Sequence, residues 1–532
     1  MFKKNTKHLQ PALISAISEL PEKQMKLLKG SWASTFYREF FCRIDEEAFA
    51  KLYTNEPSRP NVPVNVLAGL EVLKAGYGWS DAELYENFMF NLQVRYALGY
   101  DRLGDGDFAI RTLYYFRERL GKYNIEKGVN ILEEAFENIT DAQIADLKVQ
   151  TGMQRMDSTQ IASNIVDASR LRLLVEAIQR THRILSESDQ SRLENNYVPY
   201  MKGSSGHYAY RVKGKDANQE HLQKIGETIY NLLGELKEDY AEEKAYQVLE
   251  RIFTENFKLV KEEVCPKEEI SSGSLQSVDD LEASYRTKAK ANYKGYVANI
   301  TETCDPENDL QLITKVQVEP NNTDDDQMLA EALPNLQKRT DLDTLWVDGG
   351  FGGEASDDVL ENQPIEVIQT AIRGPKSDPN KFHLADFDVQ KDQEGNPIQI
   401  TCPYGQSVAV KLARTTGWQA RFNPDICSTC PFKKEGRCRT KPQKRDPRYL
   451  LSFTLKELQT AKRRKAYLAH KDDENNLRAA VEATVRSTKH PFPSGKLPVR
   501  GKFRLTSMMI ASAIYVNVRR IWQYEADLAF AV

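Results

Sequence analysis

The stretch "NNLRAAVEATVRSTKHPFPSGKLPVRGKFR", residues 475–504, decides how the rest of the chain is read. At about 100° per residue, steps of four and seven bring a helix back to nearly the same face. Arg478, Glu482 and Lys489 therefore share one stripe, after which the helix breaks into a loop of Pro, Gly and basic residues. Read alone, the stripe is a solvated face with an i,i+4 Arg–Glu pair worth a few tenths of a kcal/mol. The surrounding sequence gives it another meaning.

The chain has 532 residues, enough for roughly two to four domains. Its net charge of −3 does not by itself call for a polyanionic partner, but the charge is unevenly placed. Acidic residues crowd 262–283 and 301–326, whereas Lys433 to Lys465 is strongly basic, opposed only by Glu435, Asp446 and Glu457. From Arg486 to Arg504 there is no carboxylate, against Arg486, Lys489, Lys496, Arg500, Lys502 and Arg504. Two basic runs flanking acidic candidates suggest a groove lined for phosphate. The basic start "MFKKNTKHLQPALISAI" lacks a sustained apolar core, and "MMIASAIYVNV" is too short to span a bilayer. The latter reads as a buried helix. With unpaired thiols suited to a reducing compartment, the expectation is a cytoplasmic protein.

The pattern predicts helices over residues 30–123, with Ser80 and Glu83 as a capping box after a glycine-bearing turn. Residues 145–166 change to extended structure, and long amphipathic helices return over 168–262 before a polar linker. Then come strand signals in "YKGYVANITETC" and "LQLITKVQVEP", a helix in "DDDQMLAEALPNLQKR", and strands in "LDTLWVDGG" and "IEVIQTAIRG" with a helix between. This order predicts a mixed α/β sheet.

Asp157, in "QRMDSTQ" near the expected end of the first core strand, and Asp348, in "LWVDGGFGG", stand where α/β sheets gather ligands. The glycines after Asp348 would let a ligand approach the backbone. Taken singly, each Asp reads as a turn or cap residue. With Glu482, and in this topological order, they describe an RNase H-like site in which three carboxylates hold two divalent ions. Four of the seven cysteines, Cys402, Cys427, Cys430 and Cys438, fall within one basic segment, and four thiolates suit tetrahedral zinc. Buried free thiols or a redox pair remain the alternatives.

These residues resemble the DDE transposases of bacterial insertion sequences. Their signature places Tyr, Arg, Glu and Lys at separations of two, three and six residues. Here Arg478, Glu482 and Lys489 fit, while Asn475 stands at the Tyr position. "MDST" and "VDGGF" are similar to the two Asp motifs, and "RPNVPVNVLAGLEVLKAGYGWSDAELYENF" with "RTLYYFRERL" to the helical domain preceding the core in one subgroup. That subgroup carries a Cys cluster between the second Asp and the Glu.

The resemblance implies a division of the chain: a helical, DNA-binding region 1–140, core 145–167, a helical insertion 168–285, core 286–378, a Cys-rich zinc insertion 379–450, and C-terminal helices 451–532 carrying Glu482. It implies Asp157, Asp348 and Glu482 as ligands of two Mg²⁺ (or Mn²⁺) ions, and structural Zn²⁺ on the four cysteines. Arg478 would orient Glu482 through a charge-assisted hydrogen bond, and Lys489 would reach a DNA phosphate beside Arg486, Lys496, Arg500 and Lys502. The implied partner is double-stranded DNA, both element ends and target, processed in a homodimer or higher synaptic complex. A stand-alone metal-dependent nuclease on the same fold, or a non-catalytic transposase-derived DNA-binding protein, are the rival expectations.

Overall fold

The computed structural model describes residues 1–532 except 11–14, 16, 55, 58, 103, 166–167, 202–213, 289, 361–362, 373–377, 379, 415, 445, 471–476 and 532. Asn475 lies outside the described residues.

The N-terminal region is helical, including α1 (Trp32–Glu39), α2 (Val64–Tyr77), α3 (Asp81–Phe90), α4 (Arg111–Lys127) and α5 (Ile131–Leu147). Gly78 closes α2 in the left-handed conformation, at φ 70°. The expected capping box opens α3: Glu83 N–H donates to Ser80 Oγ at 3.2 Å, and Ser80 N–H to Glu83 Oε2 at 2.7 Å. Helix α2 is buried on nearly every side, from Val64 to Ala75, so it is a central helix rather than an exposed reading element.

The sheet begins with β1 (Met153–Ile161). Helices α6 (Arg170–Ile184), α7 (Lys215–Tyr240) and α8 (Lys244–Asn256) follow, and a two-stranded ladder over 257–266 stands where the sequence suggested only helix and linker. Leu174, Ile178, Ile225, Ile229, Leu249 and Val264 close a core of their own in this segment. The sheet resumes with β2 (Ser284–Lys288), β3 (Ala291–Thr303) and β4 (Ile313–Pro320), then α9 (Asp325–Arg339), β5 (Thr344–Val347) and β6 (Glu366–Gln369). The order is β2–β3–β1–β5–β6, with β4 also paired to β3. Pairs β1–β3 and β3–β4 are antiparallel, whereas β1–β5 and β5–β6 are parallel. Met156, Leu345 and Val347 bury one face against Leu329, Leu333 and Leu336 of α9.

Residues 388–453 depart from expectation. They form an antiparallel meander of five strands, β7 (Asp388–Lys391), β8 (Pro397–Thr401), β9 (Ser407–Leu412), β10 (Trp418–Phe422) and β11 (Tyr449–Phe453). Ile400, Ala420, Phe422, Leu451 and Phe453 make its core. The strands are short, the first four are joined by glycine-bearing turns, and their alternation is diluted by exposed Lys and Gln.

The chain closes with α10 (Leu455–His470), α11 (Val481–Lys489) and α12 (Lys502–Ala531). Among the described residues no helix is long and apolar enough to cross a membrane. Helix α12 runs through the centre: Leu505, Met509 and Ile514 share one core with Phe36, Leu67 and Phe136 of the N-terminal helices and with Ile300, Ile313 and Val316 of the sheet. It packs closely on α2 at Gly76, where an added Cβ would lie 2.2 Å from the Tyr515 ring.

Gly76→Ala should therefore destabilise the protein. The gain in helix propensity, about 1 kcal/mol, opposes an overpacking cost of about 1–3 kcal/mol against a ring that α12 holds in place. A thermal melt should show a lower Tm, and an unchanged or raised Tm would contradict this packing.

Candidate active site

Strand β1 runs parallel to β5 with Met153 opposite Thr344, Gln154 opposite Leu345 and Arg155 opposite Trp346. Continuing that register puts Asp157 level with Asp348, just beyond the end of β5. Asp157 thus stands mid-strand rather than near the strand end, but where its parallel partner has run out. Asp157 is 8 % exposed. Burial raises its carboxyl above the ordinary range, the Arg478 guanidinium pulls it down, and the charge of Asp348 pushes it up again. Asp348 accepts a hydrogen bond from Gly350 N–H at 2.6 Å and caps a one-turn 3₁₀ helix. A Cβ on Gly349 would lie 2.6 Å from the Ala371 carbonyl oxygen, so here the glycine admits a neighbouring strand end rather than a ligand.

Side chains alternate along a strand, so Arg155, Asp157 and Thr159 face one way. Each bonds to the 477–489 segment. Arg155 Nη1 donates to the Leu477 carbonyl at 2.7 Å, Arg478 Nη2 to Asp157 Oδ1 at 3.0 Å, and Lys489 Nζ to Thr159 Oγ1 at 2.5 Å. Arg478, on the 3₁₀ turn Leu477–Ala480 that precedes α11, and Lys489, at the end of α11, are therefore docked on β1. Two expectations are corrected by this geometry. Arg478 gives its hydrogen bond to Asp157, and its 3.8 Å approach to Glu482 is an ion-pair distance beyond hydrogen-bond reach. Lys489 points inward to the strand, where burial lowers its pKa.

Glu482 keeps a 65 % exposed side chain, with Oε1 3.8 Å from the same Arg478 Nη2 that donates to Asp157. That one cation offsets the repulsion between the two carboxylates. Asp157 and Asp348 are thus adjacent, with Glu482 linked to them through Arg478. Among the described residues no group of three or more His, Cys, Asp or Glu is arranged to hold a metal ion, so the three acids do not form a closed ligand set.

The basic loop is mostly engaged within the protein. Lys496 Nζ donates to the Ile165 carbonyl at 3.0 Å, and Arg500 reaches the Asn164 carbonyl at 2.5 Å and Asp279 at 3.1 Å. Lys502 pairs with Glu319 at 2.6 Å. Carbonyls of the chain after β1 and the carboxylates of Asp279 and Glu319 satisfy these cations, which a sequence count treats as free. Arg486 is exposed and has no hydrogen-bond or ion-pair partner among the described residues.

Residues 401–522 match a family described as Transposase DDE domain, and residues 28–119 match one described as Transposase domain (DUF772). These matches indicate an insertion-sequence DDE transposase. No curated protein and no solved structure matches the chain.

What seats α11 in the transposase is a residue that sequence reasoning missed. Glu302 is fully buried and accepts from Arg155 Nε, Thr484 Oγ1 and Arg520 Nη1, each at 2.7 Å. Arg155 and Glu302 are also ladder partners. This network ties β1 and β3 to α11 and α12, through Thr484 two residues beyond Glu482. The only trace in the sequence is a charge in each of two otherwise well-patterned strands, "MQRMD" and "NITET".

The cysteines also gather. Cys427 and Cys430 are buried, and Cys427 is pushed up to about 11 by burial and by Cys438, Cys402 and Cys430 around it. Gln406 N–H donates to Cys402 Sγ at 3.4 Å, and Cys438 Sγ lies 3.2 Å from Thr440 Oγ1. All seven cysteines are free. Cys402, Cys430 and Cys438 are close enough to Cys427 to raise its thiol, yet among the described residues the four are not drawn in to ligating geometry.

Glu302→Ala should cost about 3–5 kcal/mol, because Arg155 and Arg520 lose the anion that compensates them in a buried site. Thermal or urea unfolding reads this directly. A variant as stable as the parent would show that the network does not hold the helix.

Proposed function

We propose that this transposase binds the ends of its own element, hydrolyses a phosphodiester there and joins the freed 3′-hydroxyl to target DNA. The observation that carries the reading is the convergence of Asp157 and Asp348 on adjacent parallel strands, with Glu482 one guanidinium away. The six-stranded sheet, four strands paired antiparallel (β2, β3, β4 and β1) continued by parallel β5 and β6 with α9 beneath, supports an RNase H-like core.

The donor set fits hard divalent cations, since all three candidates are carboxylates and two are adjacent. Asp157, Asp348 and Glu482 would hold two Mg²⁺ or Mn²⁺ ions, which when bound activate the attacking oxygen and stabilise the leaving oxygen of an in-line displacement at phosphorus. The protein's own part is positional. Arg478 keeps Asp157 oriented and offsets its burial, Arg155 fixes the turn before α11, and Lys489 anchors the far end of that helix. Arg486 faces solvent and is the cation best placed for a DNA phosphate, whereas Lys489, Lys496, Arg500 and Lys502 would meet DNA only by exchanging their present partners.

The helical region 1–140 would contribute DNA binding, with core in 145–167, 286–378 and 451–532 and insertions at 168–285 and 379–450. The gathered thiols of Cys402, Cys427, Cys430 and Cys438 suit a structural zinc within the second insertion. Paired ends call for a homodimer or a larger synaptic complex acting from the cytoplasm.

On duplexes carrying candidate ends, Asp157→Asn and Glu482→Gln should each cut about a thousandfold more slowly in Mg²⁺, while still shifting the duplex in a gel. Cleavage equal to the parent's would remove the residue from the chemistry, and cleavage without joining would identify a nuclease instead. Elemental analysis of the purified chain should find about one zinc per molecule, lost in Cys427→Ser/Cys430→Ser. A metal-free parent would refute the zinc assignment.

A further inference from the structure

Beyond the acids, α11 continues into a cleft of about 500 Å³ walled by α11, α12 and α2. Arg486 and His490 supply one wall, Arg519 and Tyr515 the second, and Gly76 the third. Among the described residues no carboxylate lines it, in a chain with 76 acidic residues. Arg520 reaches the cleft with its charge already compensated by Glu302. Arg486 and Arg519 are exposed and have no ion-pair partner among the described residues. Ser512, 3 % exposed, adds a hydroxyl with no hydrogen-bond partner. Two uncompensated guanidiniums and an orphan donor in one concavity call for an anion with several oxygens.

The cleft also has a direction. Glu482 and Arg486 lie four residues apart on α11, about 6 Å along its axis, and both are exposed. An anion held by Arg486 is thus one helical turn from the carboxylates. We propose that this cleft binds the phosphodiester backbone of the DNA strand that runs on from the cleavage site, with Arg519 as a phosphate contact. The proposal rests on the DNA-cleaving function above and adds the path of the substrate. A phosphodiester offers paired anionic oxygens that the planar guanidinium matches. The narrow, aromatic-walled opening beside α2 would pass a backbone along α11 without contacting base edges, so the contact positions DNA rather than reads it.

The test is the salt dependence of binding, measured by fluorescence anisotropy on an end-bearing duplex without divalent metal. Arg519→Gln should lower the slope of log K against log salt by about one, and Arg486→Gln/Arg519→Gln by about two. Arg519→Lys should restore the single loss, which separates charge from folding. If the double variant keeps the parent's slope and affinity, the cleft does not carry the strand, whatever the parent's cleavage activity. If the parent itself binds no DNA, the proposed function falls with it.

Discussion

The arrangement depends on one buried anion. Removing Glu302 from water costs several kcal/mol, and only close partners offset that cost. It finds them in Arg155 from the neighbouring strand, Arg520 from α12 and Thr484 from α11. Sliding α11 by a turn would strip the hydroxyl from the anion and the Leu477 carbonyl from Arg155. The register of the helix on the sheet is therefore set by an ionic clasp rather than by apolar contact alone. That register determines where Arg478 and Glu482 meet the two aspartates.

Seen this way, the alternation of β1 organises the site. Arg155, Asp157 and Thr159 occupy successive positions on one face, and each receives or makes a bond with the segment above. The opposite face, through Met156, belongs to the hydrophobic layer on α9. One strand thus separates the ionic half of the core from the apolar half, as the two-residue period requires.

How much of this the sequence revealed depends on the range of the interaction. The order of strands and helices in the sheet, apart from β2, and the capping box of Ser80 and Glu83 are local patterns, and they were legible. The stripe of Arg478, Glu482 and Lys489 was also legible as a stripe. Its partners were not, because helical periodicity tells which side chains share a face and not what lies opposite. Lys489 and Arg478 look like solvent-facing charges until β1 is placed beneath them. The role of Glu302 depends on contacts with residues 147 and 182 positions away, which no window along the chain contains. The meander over 388–453 escaped for a different reason: its strands are short, half-exposed and rich in Lys and Gln, so alternation is weak where the turns are strongest. Charge was overcounted for the same cause. Most cations of the 489–502 loop are already satisfied by carbonyls and carboxylates of the fold.

The shared core of α12, the N-terminal helices and the sheet carries a mechanical consequence. Tilting those helices away from the sheet would expose apolar surface at roughly 25 cal/mol per Å², all along a helix that reaches from Leu505 to Val518 inside that core. The segments around 171–278 and 384–461 instead enclose cores of their own. The N-terminal helices are thus held in register with the acids, as on a fixed jig.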